Sequence, residues 1–238
     1  MSKSNIYKDK RLTIPSPSLF DPHYTEMRQT LDLLGPMANK KYDQILDYGA
    51  GNSPYRGFFR YQEFKSADVE QNSTGTIDFI INSDRPKIAV ESEQFDLVMA
   101  MDVLEHVPKV GAVLNEIHRV LKNSGIFLIK MPFVYREHEV PHDYRRLTEY
   151  GLKMLLIEHG FEVISFHKLG NAWTAALTVI NERFVLDFEN QTFWSRMFSK
   201  LFRSTFLPMF NLMVQNTIHE GIYSSLLVVA RKKGALVQ

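Results

Sequence analysis

The chain has 238 residues, 45% hydrophobic and 23% charged, enough apolar material for one packed domain with an elaboration and too much for global disorder. A formal net charge of +1 gives no global reason to expect a nucleic-acid partner. With no cysteine, disulfides and thiolate metal sites are excluded.

Residues 1–20 carry Lys, Ser and Pro without apolar periodicity and read as a flexible N-terminal arm, leaving 21–238 as a single domain. The opening stretch is polar, without the apolar core of a secretion signal. No run of about 18 uncharged apolar residues occurs, so a spanning helix is not expected and a cytoplasmic enzyme is. A helix is predicted from about His23 to Leu34, stopped by Gly35-Pro36. Short apolar runs follow at Gln44–Tyr48, Phe64–Val69, Ile77–Ile81, Phe95–Met101, Gly125–Met131, Phe161–Phe166 and Tyr223–Ala230. Two intervening helices are well marked. Val110, Val113, Leu114, Ile117, Val120 and Leu121 fall at helical spacing, with a stop at Asn123-Ser124-Gly125. Thr148 is an N-cap for a helix carrying Leu152, Leu155 and Leu156 and ending at His159-Gly160. Strands alternating with helices predict an α/β, doubly wound, mostly parallel sheet covered on both faces. Residues 171–218 break the rhythm and read as a helical insertion before the last strand.

Ligands bind such sheets at the carboxyl ends of strands, where the chain order reverses. The first strand runs through Asp47 into Gly49-Ala50-Gly51-Asn52-Ser53-Pro54. Two glycines two apart permit a tight turn and close backbone approach to a ligand. Proline replaces the third glycine of a dinucleotide fingerprint, and a carboxylate beside phosphates would repel them. Asp47 therefore favours a cofactor with an ammonium end. Taken alone, the glycine pair is equally consistent with a simple turn. Asp68 ends the second strand 21 residues after Asp47, the spacing at which a carboxylate accepts from ribose hydroxyls. Its bland alternative is an N-cap or surface acid, and Glu70 is the fallback. Asn82 and Ser83, leaving the third strand, are placed to read an adenine edge or simply to exit the strand.

The segments ILDYGAGNSPYR, FKSADVE, FDLVMAMDVLEHVPK, EIHRVLKNSGIFLIKMPF and HEVPHDYRRLTEYGLKMLLIEHGFEV span about residues 44–168. In order and spacing they resemble the class I S-adenosylmethionine-dependent methyltransferases, closest to the bacterial branch acting on small molecules, lipids and surface glycans (methyltransferase type 11-like). The resemblance implies a Rossmann-like, seven-stranded sheet with the last strand antiparallel and inserted beside the fifth. It implies that Asp47, Gly49 and Gly51 hold the methionine end of S-adenosylmethionine, Asp68 the ribose, and Asn82 and Ser83 the adenine. Ala50 and Val69 belong to the same cofactor set, and Met101 and Asp102 line the pocket. Asn82 departs from the aspartate many relatives carry, and its side-chain carbonyl oxygen is what would bond the adenine amino group.

An acceptor held in line with the sulfonium methyl needs little more than positioning and, for a hydroxyl, a base. The loop His138-Glu139-Val140-Pro141-His142-Asp143-Tyr144-Arg145-Arg146 supplies candidates. His138 or His142 is the candidate base with Asp143 orienting an imidazole, and His106 is a further candidate. Arg145 or Arg146 is expected to bind a substrate carboxylate or phosphate. The competing reading is that Asp143 and Arg146 only lock the loop, and that Glu137 and Glu139 are solvated. Pro141 between His138 and His142 prevents a helical ligand pair, so no metal is expected. In the insertion, Met197, Phe198, Leu201, Phe202, Phe206, Met209 and Phe210 form an apolar stripe opposite Arg196, Lys200 and Arg203, with Pro208 kinking or ending the helix. It reads as a helix covering the cleft or a homodimer contact over 191–218, or as a peripheral contact with the inner membrane surface. The expected substrate is a small molecule, glycan or lipid-linked acceptor, methylated on oxygen or nitrogen. The alternatives are a non-catalytic binding subunit of the same fold and a nicotinamide-dependent oxidoreductase.

Overall fold

The computed structural model describes residues 16–186, 196–197, 200–216 and 221–234. Most of the expected arm, and parts of the insertion including Phe198, lie outside the described residues.

Helix α1 (Tyr24–Ala38) precedes a seven-stranded sheet of β1 (Lys41–Tyr48), β2 (Arg60–Asp68), β3 (Phe79–Ile80), β4 (Phe95–Met101), β5 (Leu121–Pro132), β6 (Phe161–Leu169) and β7 (Ser225–Lys232). The spatial order is β3-β2-β1-β4-β5-β7-β6. Strand β7 runs antiparallel to both its neighbours, and the other strands run parallel to one another. This is the expected doubly wound sheet with the last strand antiparallel beside the fifth. Chain order reverses between β1 and β4, which opens a crevice at the carboxyl edge there.

The central strands are apolar without interruption because both their faces are covered. On one face lie α2 (Val110–Val120) and α3 (Glu149–Glu158), whose Val113, Leu114, Ile117, Leu152 and Leu156 pack with Leu46, Val98 and Phe127. On the other face α1 contributes Leu34, with Leu33 and Met37 beside it. No α-helix joins β1 to β2. The aromatic loop carrying Tyr55, Phe58 and Phe59, with a single 3-10 turn at Arg56–Phe58, covers Ile45 and Leu97 instead.

Several boundaries differ from expectation. Helix α1 runs through Gly35-Pro36 to Ala38. Pro36 forfeits one bond in the last turn, while Leu33, Leu34 and Met37 hold that turn against the sheet. The stop at Asn123-Ser124-Gly125 falls inside β5, not before it. Leu121 already pairs with Phe95, and the register then shifts to Leu97–Ile126, with Ser124 at φ +61°. Thr148 caps α3 as expected, its Oγ1 accepting from Gly151 N–H at 3.2 Å.

The described part of the insertion holds α4 (Ala172–Leu186), a π-helical turn at Phe202–Phe206, and α5 (Leu207–Val214) with Pro208 in its first turn. Helix α5 buries Leu207, Asn211 and Val214, one stripe at i, i+4, i+7. Asn211 donates to the carbonyls of Leu19 and Asp21 at 2.9 Å each, and Arg28 on α1 reaches Gln215 at 2.8 Å. The insertion thus docks on α1 and leaves Met209, Leu212 and Met213 exposed.

Candidate active site

At the carboxyl edge β1 ends in a bend made largely of backbone. Gly49 (φ +71°) and Gly51 (φ +52°) take left-handed conformations. The N–H groups of Gly49 and Ala50 donate to the Ala67 carbonyl on β2 at 2.8 and 3.2 Å. Gly51 N–H donates to Asp68 Oδ2 at 2.7 Å, Val69 N–H to Asp68 Oδ1 at 2.6 Å, and Asn72 Nδ2 to the Gly51 carbonyl at 2.8 Å. The two glycines have different reasons to be there. A Cβ on Gly49 would stand 2.5 Å from both Cγ atoms of Val103, whereas one on Gly51 would meet nothing within 4 Å. The first glycine allows the β4 loop to close in, and the second opens onto empty space.

Asp47 is 4% exposed, and its Oδ2 has no hydrogen-bond partner. Burial pushes its carboxyl up to about 7; the Ser53 hydroxyl works against this and the nearby Asp68 with it. A buried acid without a counter-charge is costly, so this carboxylate is suited to a cation from outside the chain. The Ile81 N–H donates to the Asp68 carbonyl at 2.8 Å and keeps the following loop beside β2. There Asn82 and Ser83 are exposed, and Asn82 Oδ1 accepts from the N–H groups of Asp84 and Arg85 at 2.8 and 3.2 Å. The oxygen expected to meet an adenine amino group is thus folding its own turn. Met101 lies at the same edge, half-buried at the end of β4.

Next to it stands a buried ionic network that sequence reasoning missed apart from Asp102. Lys130 Nζ lies 2.9 and 2.8 Å from the two carboxylate oxygens of Asp102 and 2.7 Å from Glu26 Oε1 on α1. Glu26 Oε1 also accepts from Ser225 Oγ at 2.7 Å. Burial alone would raise the Glu26 carboxyl, but the Lys130 ammonium holds it well below the usual carboxylate range. Burial likewise opposes the Lys130 charge, and Asp102 and Glu26 together hold that lysine well above its usual value. Asp102 takes φ +57°, a strained backbone for a non-glycine residue. The available signal was one lysine within the otherwise apolar strand run ending in Met131.

Beyond Asp102, a 3-10 turn at Leu104–His106 meets the loop after β5, held by the Tyr144 N–H donating to the Glu105 carbonyl at 2.8 Å. His106 Nε2 and His138 Nε2 face each other at 3.1 Å. His106 Nδ1 lies 2.8 Å from the His142 carbonyl oxygen. His138 Nδ1 lies 3.2 Å from the Arg136 carbonyl oxygen and 3.2 Å from Asp143 Oδ2. These oxygens only accept, so each Nδ1 carries a hydrogen, and the two Nε2 atoms are turned toward each other. Burial, then the neighbouring His106, lowers the His138 pKa, which works against its sharing a proton as an imidazolium. Glu105 is 0% exposed, and neither carboxylate oxygen has a hydrogen-bond partner. Its Oε1 is 3.7 Å from His106 Nε2. Burial, with Asp102 adding to it, pushes the Glu105 carboxyl up to about 8. The Arg146 guanidinium grips Asp143 at 2.5 and 2.7 Å and holds that carboxyl down at about 2.

Of the four catalytic candidates, the structure brings together His106, His138 and Asp143. The His142 ring turns to the Tyr144 hydroxyl at 2.9 Å, and only its carbonyl serves the cluster. Glu105 was missed although it adjoins His106, because only the fold reveals that its side chain is buried. Arg145 and Arg146, expected to bind a substrate anion, both bind oxygens of the protein itself. Arg145 donates to the carbonyls of Leu104, Val107 and Pro108. Arg146 donates to both Asp143 oxygens and to the carbonyls of Arg145 and Arg136. Their terminal nitrogens already bind the protein's own oxygens, so both arginines pin the two loops together.

Residues 22–176, more than half of the chain, match the family described as a methyltransferase domain. No curated protein sequence matches the chain. Among solved structures, the [4+2]-cyclase SpnF superposes with a TM-score of 0.56 at 14% identity, covering 87% of this chain and 82% of that one. The 1,6-didemethyltoxoflavin-N1-methyltransferase of Burkholderia thailandensis, with 1,6-didemethyltoxoflavin and S-adenosylhomocysteine bound, gives 0.54 at 16% identity, covering 97% and 85%. The phosphoethanolamine N-methyltransferase 2 of Haemonchus contortus, in complex with S-adenosyl-L-methionine, gives 0.53 at 17% identity, covering 87% and 53%. At these identities the likeness is one of fold.

Proposed function

The chain belongs to the methyltransferase domain family, and from that premise we propose how this S-adenosylmethionine-dependent enzyme holds its cofactor and which acceptors it serves. The family match sets aside the nicotinamide-dependent alternative. In our reading the unpartnered Asp47 carboxylate receives the ammonium of the methionine end, and the open space over Gly51 takes the chain that follows it. The lone pairs of Asp68 not used by Gly51 and Val69 accept from the ribose hydroxyls. With its oxygen occupied in the turn, Asn82 offers Nδ2 to an adenine ring nitrogen, and Ser83 flanks it. Ala50 and Met101 supply apolar walls.

The bound cofactor supplies an electrophilic methyl group. The protein's own task is to orient an acceptor in line with that methyl group. Continuing past Met101, the chain leads directly to Glu105 and His106, so the acceptor is held on that side, facing Glu105, His106 and His138. The acceptor class is a small molecule, a glycan or a lipid-linked intermediate, methylated on oxygen or nitrogen. The exposed Met209, Leu212 and Met213 of α5 support the lipid-linked member, as a peripheral face resting on a membrane surface. No described helix is long and apolar enough to cross a membrane. Binding to anionic liposomes at low salt would support that face, whereas full recovery in the supernatant at every salt concentration would exclude it.

The single observation carrying this proposal is the buried Asp47 carboxylate, whose Oδ2 has no hydrogen-bond partner, beside the open Gly51 cradle. Calorimetric titration with S-adenosylhomocysteine tests it. The wild type should bind one equivalent. Gly51→Arg should abolish binding and Asp68→Ala should weaken it roughly tenfold to hundredfold, each variant still unfolding cooperatively though at a lowered temperature. Wild-type affinity in both variants would overturn the assignment.

A further inference from the structure

The two imidazoles of His106 and His138 are arranged as ligands are. Each donates its Nδ1 hydrogen to a fixed oxygen, which is how metal-binding histidines are oriented. The Asp143 carboxylate behind His138 is itself clamped by Arg146. With both Nδ1 positions taken up by oxygens, the Nε2 atoms 3.1 Å apart can be bridged by one positive centre, a shared proton or a metal ion. With metal–nitrogen bonds of about 2.0–2.1 Å, that separation corresponds to an angle of roughly 95–100° at a shared ion. Glu105 adds a buried carboxylate with no hydrogen-bond partner. One ligand atom from each of Glu105, His106 and His138 lies within 4.8 Å of the others. Glu139 Oε2 stands 3.9 Å from His106 Nε2, at the outer side of the cluster. His138 and His142, the pair separated by Pro141, are not the ones that meet.

We propose that Glu105, His106 and His138 bind one divalent first-row transition-metal ion, leaving positions open for an oxygen of the methyl acceptor. Two imidazoles and one carboxylate suit zinc, iron or cobalt better than magnesium or calcium, which take oxygen ligands. The ion neutralises Glu105 and relieves the contact between the two Nε2 atoms. The acceptor clause rests on the methyltransferase reading; the metal site does not. An acceptor hydroxyl bound to the ion loses its proton to solvent water. Its oxygen then bonds to the methyl carbon, the carbon–sulfur bond breaks, and that electron pair remains on sulfur as S-adenosylhomocysteine leaves. The acceptor class narrows accordingly to compounds methylated on a hydroxyl that can ligate a metal.

The test is a titration of the chelator-treated full chain with cobalt(II), followed by its visible ligand-field absorption and competed with zinc. One cobalt per chain is expected, displaced by zinc. His138→Ala and Glu105→Gln should each weaken binding at least roughly tenfold, whereas His142→Ala, which keeps its carbonyl, should bind like the wild type. The proposal is overturned if the wild type binds no cobalt, or if both ligand variants bind as tightly as the wild type. S-adenosylhomocysteine titrations on the same samples separate the two readings and check folding. A wild type that binds cobalt but not S-adenosylhomocysteine would sink the cofactor assignment alone; the converse would sink the metal site alone.

Discussion

On the β1–β2 side of the sheet edge the chain offers backbone: two left-handed glycines, N–H groups tied to Ala67 and Asp68, and one unpartnered acid, Asp47. On the β4–β5 side it offers side chains: Glu105 and His106 from one turn, His138 from a loop on the next strand, and Asp143 and Arg146 bracing them. Both sides hold a buried carboxylate oxygen without a hydrogen-bond partner, on Asp47 and on Glu105. Between them, Glu26 and Asp102 are equally acidic residues, yet Lys130 satisfies both. The comparison separates acids that stabilise the fold from acids left open to a ligand. Glu26 is held ionised by the Lys130 ammonium. Asp47 and Glu105 are raised because burial outweighs what opposes it, the Ser53 hydroxyl at Asp47 and the more distant Lys130 and Arg146 at Glu105.

The largest expected effect comes from removing the pairing. Lys130→Met strands the buried Glu26 carboxylate and unpairs the partly exposed Asp102, and should cost about 3–5 kcal/mol of stability, read from urea denaturation. A cost below about 1 kcal/mol, the level of an exposed pair, would mean the network is not holding α1 to the sheet edge. Within the backbone-built side, Gly49→Ala should cost more than Gly51→Ala. Both impose left-handed strain of about 1–3 kcal/mol, but only Gly49→Ala adds a Cβ 2.5 Å from Val103. Equal losses in the two variants would remove the distinction between a close approach and an open cradle.

The smallest effect concerns Asp47 and has a definite sign. Its folded value near 7 lies above its ordinary 3.8, so in the cofactor-free protein the group is mostly protonated below about pH 7. Receiving an ammonium requires the ionised form. Affinity for S-adenosylhomocysteine should therefore fall as pH drops below about 7, by up to about 1.4 kcal/mol, or tenfold, per unit. Asp47→Asn should flatten this profile. A raised acid also weakens the empty fold as pH rises from 3.8 towards 7, so Asp47→Asn should be more stable than the wild type at neutral pH without cofactor. A variant less stable there would show that the carboxylate is already satisfied within the protein.

The sheet and the glycine bend were legible because their information is local. Strand β4 was read to the residue, Phe95–Met101, since a strand covered on both faces is an uninterrupted apolar run. Gly49 and Gly51 could be named because a tight bend needs glycine at particular positions, and Asp47 because its charge stands beside that bend. Termini were less legible where packing overruled propensity, as at Pro36 in α1 and Ser124 in β5. Burial and pairing between distant segments needed the tertiary structure. Glu26 meets Lys130 across α1 and β5, and His106 meets His138 across 32 residues of chain. Arg145 and Arg146, which look like anion binders along the sequence, are committed to the loops they hold together. Local order in the chain encodes which bends and strands form, whereas the ionisation and partners of a side chain depend on what the fold packs around it.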